Sequence, residues 1–486
     1  MPGRTFDLLV IGGGINGAGI ARDAAGRGLS VLLVESGDLA GATSSASSKL
    51  IHGGLRYLEQ YEFRLVAEAL AEREILLRIA AHLTSPMRFV MPHVPALRPR
   101  WMIRAGLFLY DHLARRSLLP GSAAVRLDAP PYRGSLRPEL RHGFAYFDCR
   151  VDDARLVLAN AIDAAARGAG VRVRTALLAA RRSAGVWQAT LAGGESVTAR
   201  AIANAAGPWV KRVLNERLGQ PSAEQVRLVQ GSHIVVPRIY EGAHAFILQN
   251  DDRRVVFMIP FEERFTLIGT TDVPLQDLAA EPRASEDEVL YLCRAASRYL
   301  VRPVQPSQVL WRYAGVRPLY DDGSRDASAV TRDYVLRVDD EQGLAPVLSI
   351  YGGKITTYRR LAEQALDRLA PYFPGMRGPW TAAAALPGSD FSDRDDAFRA
   401  LSARYPKTLP EVLRGVFSRH GTLAPKVLGD GELGEHYGAG LTEREIRYFV
   451  EAEWARSVED VLWRRTKAGL HLDATQQARL GMLLPA

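Results

Sequence analysis

At 486 residues the chain is too long for one simple core, so two or three domains are expected. Its hydrophobic content of 47% and charged content of 24% are ordinary for a soluble globular fold. A net charge of +8 attracts nucleic acid, anionic lipid and small anionic substrates alike and selects none of them. The two cysteines, Cys149 and Cys293, lie far apart without metal-ligand spacing, which suits a reducing cytoplasm; no metal site is expected. The first residues, "MPGRTFDLLVIGGG", run into a strand with no cleavable leader pattern. No run of about eighteen apolar residues occurs, so no helix is expected to span a membrane.

In chain order, "FDLLVIGGGINGAGIARDAAGRGLSVLLVE" reads as strand, tight turn, helix and strand. Gly12, Gly14 and Gly17 fit G-x-G-x-x-G: the first for the turn, the second for close approach of a pyrophosphate, the third for helix–strand packing. Glu35 ends the second strand, where a carboxylate accepts hydrogen bonds from a ribose. A dinucleotide site is the functional reading and a structural glycine turn the bland one. "GATSSASSKLIHGGLRYLE" follows, with hydroxyls and then a lysine, a histidine, an arginine and a tyrosine around adjacent glycines. The stretch Ala96 to Gly121 mixes Trp101, Met102, Ile103, Leu107, Phe108 and Leu109 with five arginines, as a lipid-surface element does; an ordinary helix packed inward gives the same composition.

A helix over Asp153 to Arg167 and a strand over Val171 to Thr175 are expected next. "ARAIANAAGPWVKRVL" then supplies a late strand ending at Ala206, Gly207, Pro208 and Trp209, suited to rejoining the first sheet. Such a discontinuous nucleotide domain is more usual for flavoproteins than for simple nicotinamide dehydrogenases. Residues 210–350 are rich in short β-branched or aromatic runs, an antiparallel sheet in the making. His233 opens "SHIVVP" and is expected at a strand end; Thr270 and Asp272 follow another strand, with Asp272 read as a turn cap. "GGKITTYRRLAEQALDRL" returns to the first domain, with a helix starting after Gly353. Pro387-Gly388 reads as a linker, and apolar spacing is helical beyond it.

The blocks "VIGGGINGAGIARDAAGRGLSVLLVE", "ATSSASSKLIHGGLRYLE", "VDDARLVLANA", "GSHIVVPR", "IGTTD", "GVRPL", "TRDY" and "GGKITTYR" occur in this order. In them the chain resembles the FAD-dependent glycerol-3-phosphate dehydrogenase family, its bacterial respiratory, quinone-linked (aerobic) members in particular. "RYFVEAEWARSVEDVLWRRTKAGL" matches that family's helical cap. The resemblance implies an α+β fold with an α/β part. A Rossmann-like FAD-binding domain would comprise 1–75, 150–210 and 345–375. An antiparallel-sheet domain facing substrate and membrane would comprise 76–149 and 211–344, and a C-terminal helical cap domain 388–486. The implied reaction is oxidation of sn-glycerol 3-phosphate to dihydroxyacetone phosphate by hydride transfer to FAD, with electrons passed to membrane quinone.

By that resemblance Arg56, Arg317, Arg332 and Lys354 converge on the phosphate, with Tyr57 and Thr270 beside them. Lys354 is not assigned to phosphate alone, and the general base is left open between His52 and His233. Arg317 and Lys354 are counted with these two histidines as catalytic. For the cofactor, Gly12, Gly14, Ile15, Asn16, Gly17, Glu35, Ser36, Thr43, Ser44, Ser45, Ser48, Lys49, Leu50, His52 and Gly53 are expected from the first segment. Ala206, Gly207, Trp209, Gly353, Lys354, Ile355 and Thr356 are expected from the later ones. Expected partners are glycerol 3-phosphate, membrane quinone and the anionic surface of the inner membrane's cytoplasmic face, without nucleic acid; a homodimer is left open. Three rivals stand: a soluble oxidase making peroxide from the same substrate, a non-catalytic binder (a nucleotide-holding module or basic nucleic-acid partner), and a flavoprotein oxidising amino acids or amines.

Overall fold

The computed structural model describes residues 5–221, 224–252, 254–278, 282–321, 333–341 and 343–485. The apolar run ahead of the glycines forms β1 (Thr5–Ile11), followed by α1 (Ile15–Gly26) and β2 (Val31–Val34). Next come β3 (Leu50–Ile51), α2 (Phe63–Ile79), β4 (Thr84–Pro92), α3 (Arg100–His112), β5 (Ala123–Arg126) and β6 (His142–Val151). The chain continues through α4 (Asp153–Ala166), β7 (Gly170–Arg172), β8 (Leu177–Ser183), β9 (Val186–Leu191), β10 (Ser196–Asn204) and the single turn α5 (Val210–Arg212).

Five strands follow: β11 (Val226–Pro237), β12 (Ala245–Gln249), β13 (Val255–Phe261), β14 (Phe265–Gly269) and β15 (Val273–Leu275). Then come α6 (Glu286–Ser297), β16 (Trp311–Tyr320), β17 (Val335–Asp339), β18 (Val347–Tyr351) and α7 (Tyr358–Leu369). The C-terminal part is helical: α8 (Arg394–Arg404), α9 (Pro410–His420), α10 (Ala424–Leu428), α11 (Glu443–Ala452) and α12 (Ala474–Leu480).

The first sheet has the order β17-β18-β10-β1-β2-β7, with the β8–β9 hairpin joined to β10. Its centre is parallel: β1 pairs with β10 and β2, and β10 with β18. Every residue of β2 and of the Leu8–Ile11 run of β1 is buried, as expected for strands covered on both faces. Leu8, Val10 and Leu33 pack with α1, α4 and α7 on one face. Leu9, Ile11 and Val34 pack on the other with Trp187 of the hairpin and Val210 and Leu214. Parallel strands set their carboxyl ends side by side, so the turns after β1, β2, β10 and β18 open on one cleft.

The second sheet, ordered β15-β11-β14-β13-β12-β4-β6-β3 with β16 on β11 and β5 on β6, is antiparallel apart from the β12–β4 pair. Residues alternate across it: Ile234 and Val236 face α6, while Val235 and Leu267 lie in the core that α2 and α3 cover. His233 departs from its expected place at a strand end. It lies within β11, not at its end, because "VRLVQG" pairs with β16 along its whole length before the apolar run begins. The helical reading of "SVEDVLWRRTKAGL" also changes, since Asp460–Arg465 forms only a short π-helical turn.

Among the described residues no helix is long and apolar enough to cross a membrane. Helix α3 buries Ile103, Leu107 and Tyr110 against the second sheet. Trp101 and Phe108 on its outer side are 73% and 59% exposed, and Met102 and Leu109 are exposed with them.

Candidate active site

Turns at the strand ends of the first sheet enclose a cavity of about 790 Å³. Gly12 has φ +107, and a Cβ there would lie 2.6 Å from the Ala205 carbonyl oxygen. A Cβ on Gly17 would lie 1.9 Å from the Gly12 carbonyl oxygen, so this glycine sets helix–strand packing and does not line the cavity. The Glu35 carboxylate accepts from the Gly13 and Gly37 N–H groups at 2.6 and 2.7 Å, fixing the turn after β2 beside the turn after β1. Ser44 Oγ accepts from the Ile15 N–H at 2.9 Å, and Thr43 donates to the Val316 carbonyl at 2.7 Å.

Gly12, Gly14, Ile15, Asn16, Glu35, Ser36, Thr43, Ser44, Ala206, Gly207, Trp209 and Gly353 all line this cavity. Asn16 lends its Oδ1, a buried atom without a hydrogen-bond partner. A glycine cradle at a helix N-terminus, an acidic strand end and a waiting polar atom fit a dinucleotide.

A second cavity, of about 310 Å³, shares Ile15, Thr43, Ser44, Pro318, Gly352 and Gly353 with the first, so the two are joined. Ser48, Leu50, His52, Arg56, Tyr57, His233, Thr270, Asp272, Arg317, Lys354, Ile355 and Thr356 line it. Arg317 forms an ion pair with Asp272 and donates to Thr270 Oγ1 at 3.1 Å. Asp272 is thus a partner of Arg317 and not the turn cap expected of it. The Lys354 ammonium sits 4.0 Å from the centre of the Tyr57 ring. Three cations from three distant segments face one small space. Arg332 lies outside the described residues.

Both histidines are enclosed. His233 stacks on Tyr313 with ring centres 4.9 Å apart, and its Nε2 is 2.8 Å from Ser48 Oγ. Its Nδ1 is buried without a partner. Burial, then the Arg317 and Lys49 charges, push its pKa well below the ordinary imidazole value. His52 meets Phe257 edge-on at 6.3 Å. Burial lowers its pKa too; Asp148 opposes this, and Lys354 and Arg73 add to it. Both imidazoles are therefore neutral at neutral pH.

Besides Gly17, three expected cofactor residues line neither cavity. The Lys49 ammonium turns inward to Asp153, at 2.9 and 3.0 Å, and to the Ser45 carbonyl. Ser45 spends its hydroxyl on the Ala42 carbonyl. Gly53 donates its N–H to Tyr110, and a Cβ there would press on Leu70, so helix packing explains this glycine. Cavity-lining residues that the sequence reading missed include Arg174, Arg212, Arg217 and Arg464 on the larger cavity. Their signal is weak, since each is one basic residue in a chain with 62.

A parallel-sheet nucleotide cleft that opens into a cationic, histidine-bearing chamber under an antiparallel sheet defines a FAD-dependent oxidoreductase. Residues 7–359 match the family model "FAD dependent oxidoreductase", and 380–480 match "C-terminal domain of alpha-glycerophosphate oxidase". A Pseudomonas aeruginosa protein named glycerol-3-phosphate dehydrogenase is 52% identical over 99% of this chain and 95% of its own. A Brucella abortus protein named D-erythritol 1-phosphate dehydrogenase is 49% identical over 98% of this chain and 97% of its own. The X-ray structure of a Bacillus halodurans glycerol-3-phosphate dehydrogenase complexed with FAD superposes with a TM-score of 0.73 and 27% identity, covering 98% of this chain and 93% of that one. The chain belongs to the FAD-dependent glycerol-3-phosphate dehydrogenase family, and its cofactor is FAD.

Proposed function

We propose that this protein oxidises sn-glycerol 3-phosphate to dihydroxyacetone phosphate and passes the electrons to membrane quinone. The observation that carries this reading is the convergence of Arg56, Arg317 and Lys354 on a chamber joined to the nucleotide cavity. A phosphate dianion suits guanidinium forks and an ammonium. Asp272 holds one edge of Arg317, so the fork is presented in a fixed orientation. Arg332 is assigned to the same anion by resemblance alone.

Taking the C2 alcohol to a ketone removes two electrons and two protons. FAD, when bound, supplies the acceptor for the carbon-bound hydrogen and its electron pair. The hydroxyl proton goes to a neutral imidazole, His52 or His233, both on the chamber wall. Lys354 favours negative charge on the same oxygen. Tyr57 and Thr270 line the chamber with the cations, and their proposed role is to orient the substrate.

The exposed apolar side of α3, flanked by exposed Arg100 and Arg104, is proposed to lie on the anionic cytoplasmic face of the membrane, where quinone is reached. The helical C-terminal part supports a separate domain at 388–486, while β17, inside 211–344, joins the first sheet and β3, inside 1–75, joins the second, so those two boundaries are proposed to shift.

The Brucella relative favours a second reading, in which a four-carbon polyol phosphate is the substrate and the same cations hold its phosphate. Turnover of both substrates by the purified holoprotein, with a quinone analogue and with oxygen, tests these readings. The expected result is a higher kcat/KM for glycerol 3-phosphate, quinone-dependent turnover and little peroxide. A preference for erythritol phosphate reassigns the substrate, and stoichiometric peroxide reassigns the acceptor. Turnover of neither phosphate ester overturns the proposal.

A further inference from the structure

The C-terminal part reaches the cofactor cavity. The short turn Asp460–Arg465 packs on α4 and is tied by ion pairs to Asp38 after β2 and Arg174 after β7. Arg465 is fully buried and grips the Asp38 carboxylate with both terminal nitrogens, one of them at 2.8 Å. Arg464, next to it, spends Nε on Asp38 and Nη2 on Asp460, which leaves Nη1 for a ligand. Asp460 also pairs with Arg174 at 3.1 Å and accepts from the backbone N–H groups of Arg456 and Ser457. Trp463 stacks on Trp311 of β16 at 4.4 Å, seating the same segment on the second sheet.

This cluster lies at one end of the larger cavity. Arg464 and Arg174 line it beside Glu35–Asp38 after β2 and Thr175–Leu177 after β7. The opposite end is where the cavity joins the substrate chamber through Thr43, Ser44 and Gly353. With the reactive ring at the chamber, the Glu35–Arg174 end is left to the adenosine half of the dinucleotide. Three guanidinium groups, Arg174, Arg464 and Arg465, there face two carboxylates, Asp38 and Asp460. Glu35 brings a third carboxylate to this end, so the formal charges balance, and the uncommitted Nη1 of Arg464 is what remains on the cavity wall to donate to a ligand oxygen. Among the described residues, Arg464 is the one lining residue from beyond position 353.

We propose that Arg464 is a cofactor-binding residue contributed by the C-terminal domain, with its guanidinium on the adenosine diphosphate half of FAD. Arg465, through Asp38, ties the domain to the same turn. FAD binding and docking of the C-terminal domain therefore stabilise each other, by the reciprocity of linked equilibria. This inference rests on FAD as the cofactor and adds one contact to it.

The test uses full-length protein stripped of FAD. FAD is titrated by quenching of its fluorescence, and ADP, which lacks the flavin, by calorimetry. Limited proteolysis then reports whether each ligand protects residues 388–486. Loss of one charge-assisted hydrogen bond is expected to raise both dissociation constants about tenfold or more in Arg464→Ala, with partial recovery in Arg464→Lys. ADP alone should protect the C-terminal domain of the wild type but not of Arg464→Ala. Wild-type affinity for both ligands in a folded Arg464→Ala, or in Arg464→Gln should the alanine variant not fold, overturns the inference. So does weakened FAD binding with unchanged ADP binding. A wild-type chain that binds neither ligand overturns the FAD assignment itself, a separate result.

Discussion

Arg317 shows how one residue's role follows from its two edges. One terminal nitrogen is committed to Asp272 and the other reaches Thr270, so the guanidinium is held across the chamber instead of swinging through solvent. Each charge-assisted hydrogen bond to a phosphate is worth about 1.5–3 kcal/mol. Replacing Arg317 by alanine is therefore expected to lower kcat/KM for glycerol 3-phosphate about a hundredfold or more and to leave turnover of unphosphorylated glycerol nearly unchanged. Equal losses on both would show that Arg317 serves the fold.

The histidines add a pH expectation. His52 and His233 both have lowered pKa values, so the acid limb of kcat/KM should fall below the ordinary 6.5. An acid limb above pH 7 would remove both as the neutral base. Arg56, Arg317 and Lys354 were legible in the sequence because each sits within two positions of a glycine or proline in a block that amphipathic helices do not produce. Lys49 was misread because its partner, Asp153, is remote in sequence and leaves no local trace.

At the scale of elements, α3 is built with two apolar sides. Ile103, Leu107 and Tyr110 satisfy the fold, while Trp101 stands exposed and Phe108, stacked on its helix neighbour His112, faces outward with it. Inserting two aromatics into a lipid interface adds to the attraction of nearby arginines, each worth about 1 kcal/mol near an anionic surface. Replacing Trp101 and Phe108 together by serine is expected to reduce binding to anionic vesicles about tenfold or more, while high salt alone should not release the wild type. Release of the wild type by salt, with no effect of the substitutions, would leave α3 an ordinary surface helix.

The composition of Ala96 to Gly121 suggested such an element, but it did not say which side faces inward; packing on the second sheet decides that. The first strand–turn–helix was legible to within a few residues because glycine spacing and an apolar run specify it locally. The boundary of β11 was not. Its first half is held by cross-strand pairing with β16 and not by its own apolar pattern.

Across the whole molecule, buried ionic groups join the C-terminal helices to the first sheet. Arg155 on α4 donates to Glu453 at 2.9 Å and to His420 at 3.2 Å, and His420 and Arg419 in turn hold Glu445. Removing one partner leaves an uncompensated buried charge, so Arg155→Met is expected to cost about 3–5 kcal/mol of stability. A change in the chemical denaturation midpoint with an unaltered slope would measure it.

The same network makes the fold acid-sensitive. Burial lowers the pKa of His82, His233, His244 and His420, so the unfolded chain takes up protons first as pH falls below about 6.5. Glu445 is buried, yet Arg419 and His420 hold it at about 2, and its contribution is lost between about 4.5 and that value. Tm should therefore decline from pH 7 to pH 5 and more steeply below 4.5; a Tm independent of pH over this range would contradict the burial of these groups. None of this interface was legible in the sequence, because its partners lie hundreds of positions apart and read locally as solvated helix faces.

The central claim is that a cationic chamber holds a polyol phosphate against a bound flavin. The most direct measurement is anaerobic mixing of the FAD-loaded protein with glycerol 3-phosphate while flavin absorbance is followed. Rapid bleaching in the wild type, much slower in Arg317→Ala and absent with glycerol at the same concentration, is the expected result. A flavin that stays oxidised with glycerol 3-phosphate, or bleaches equally fast with unphosphorylated glycerol, would contradict it.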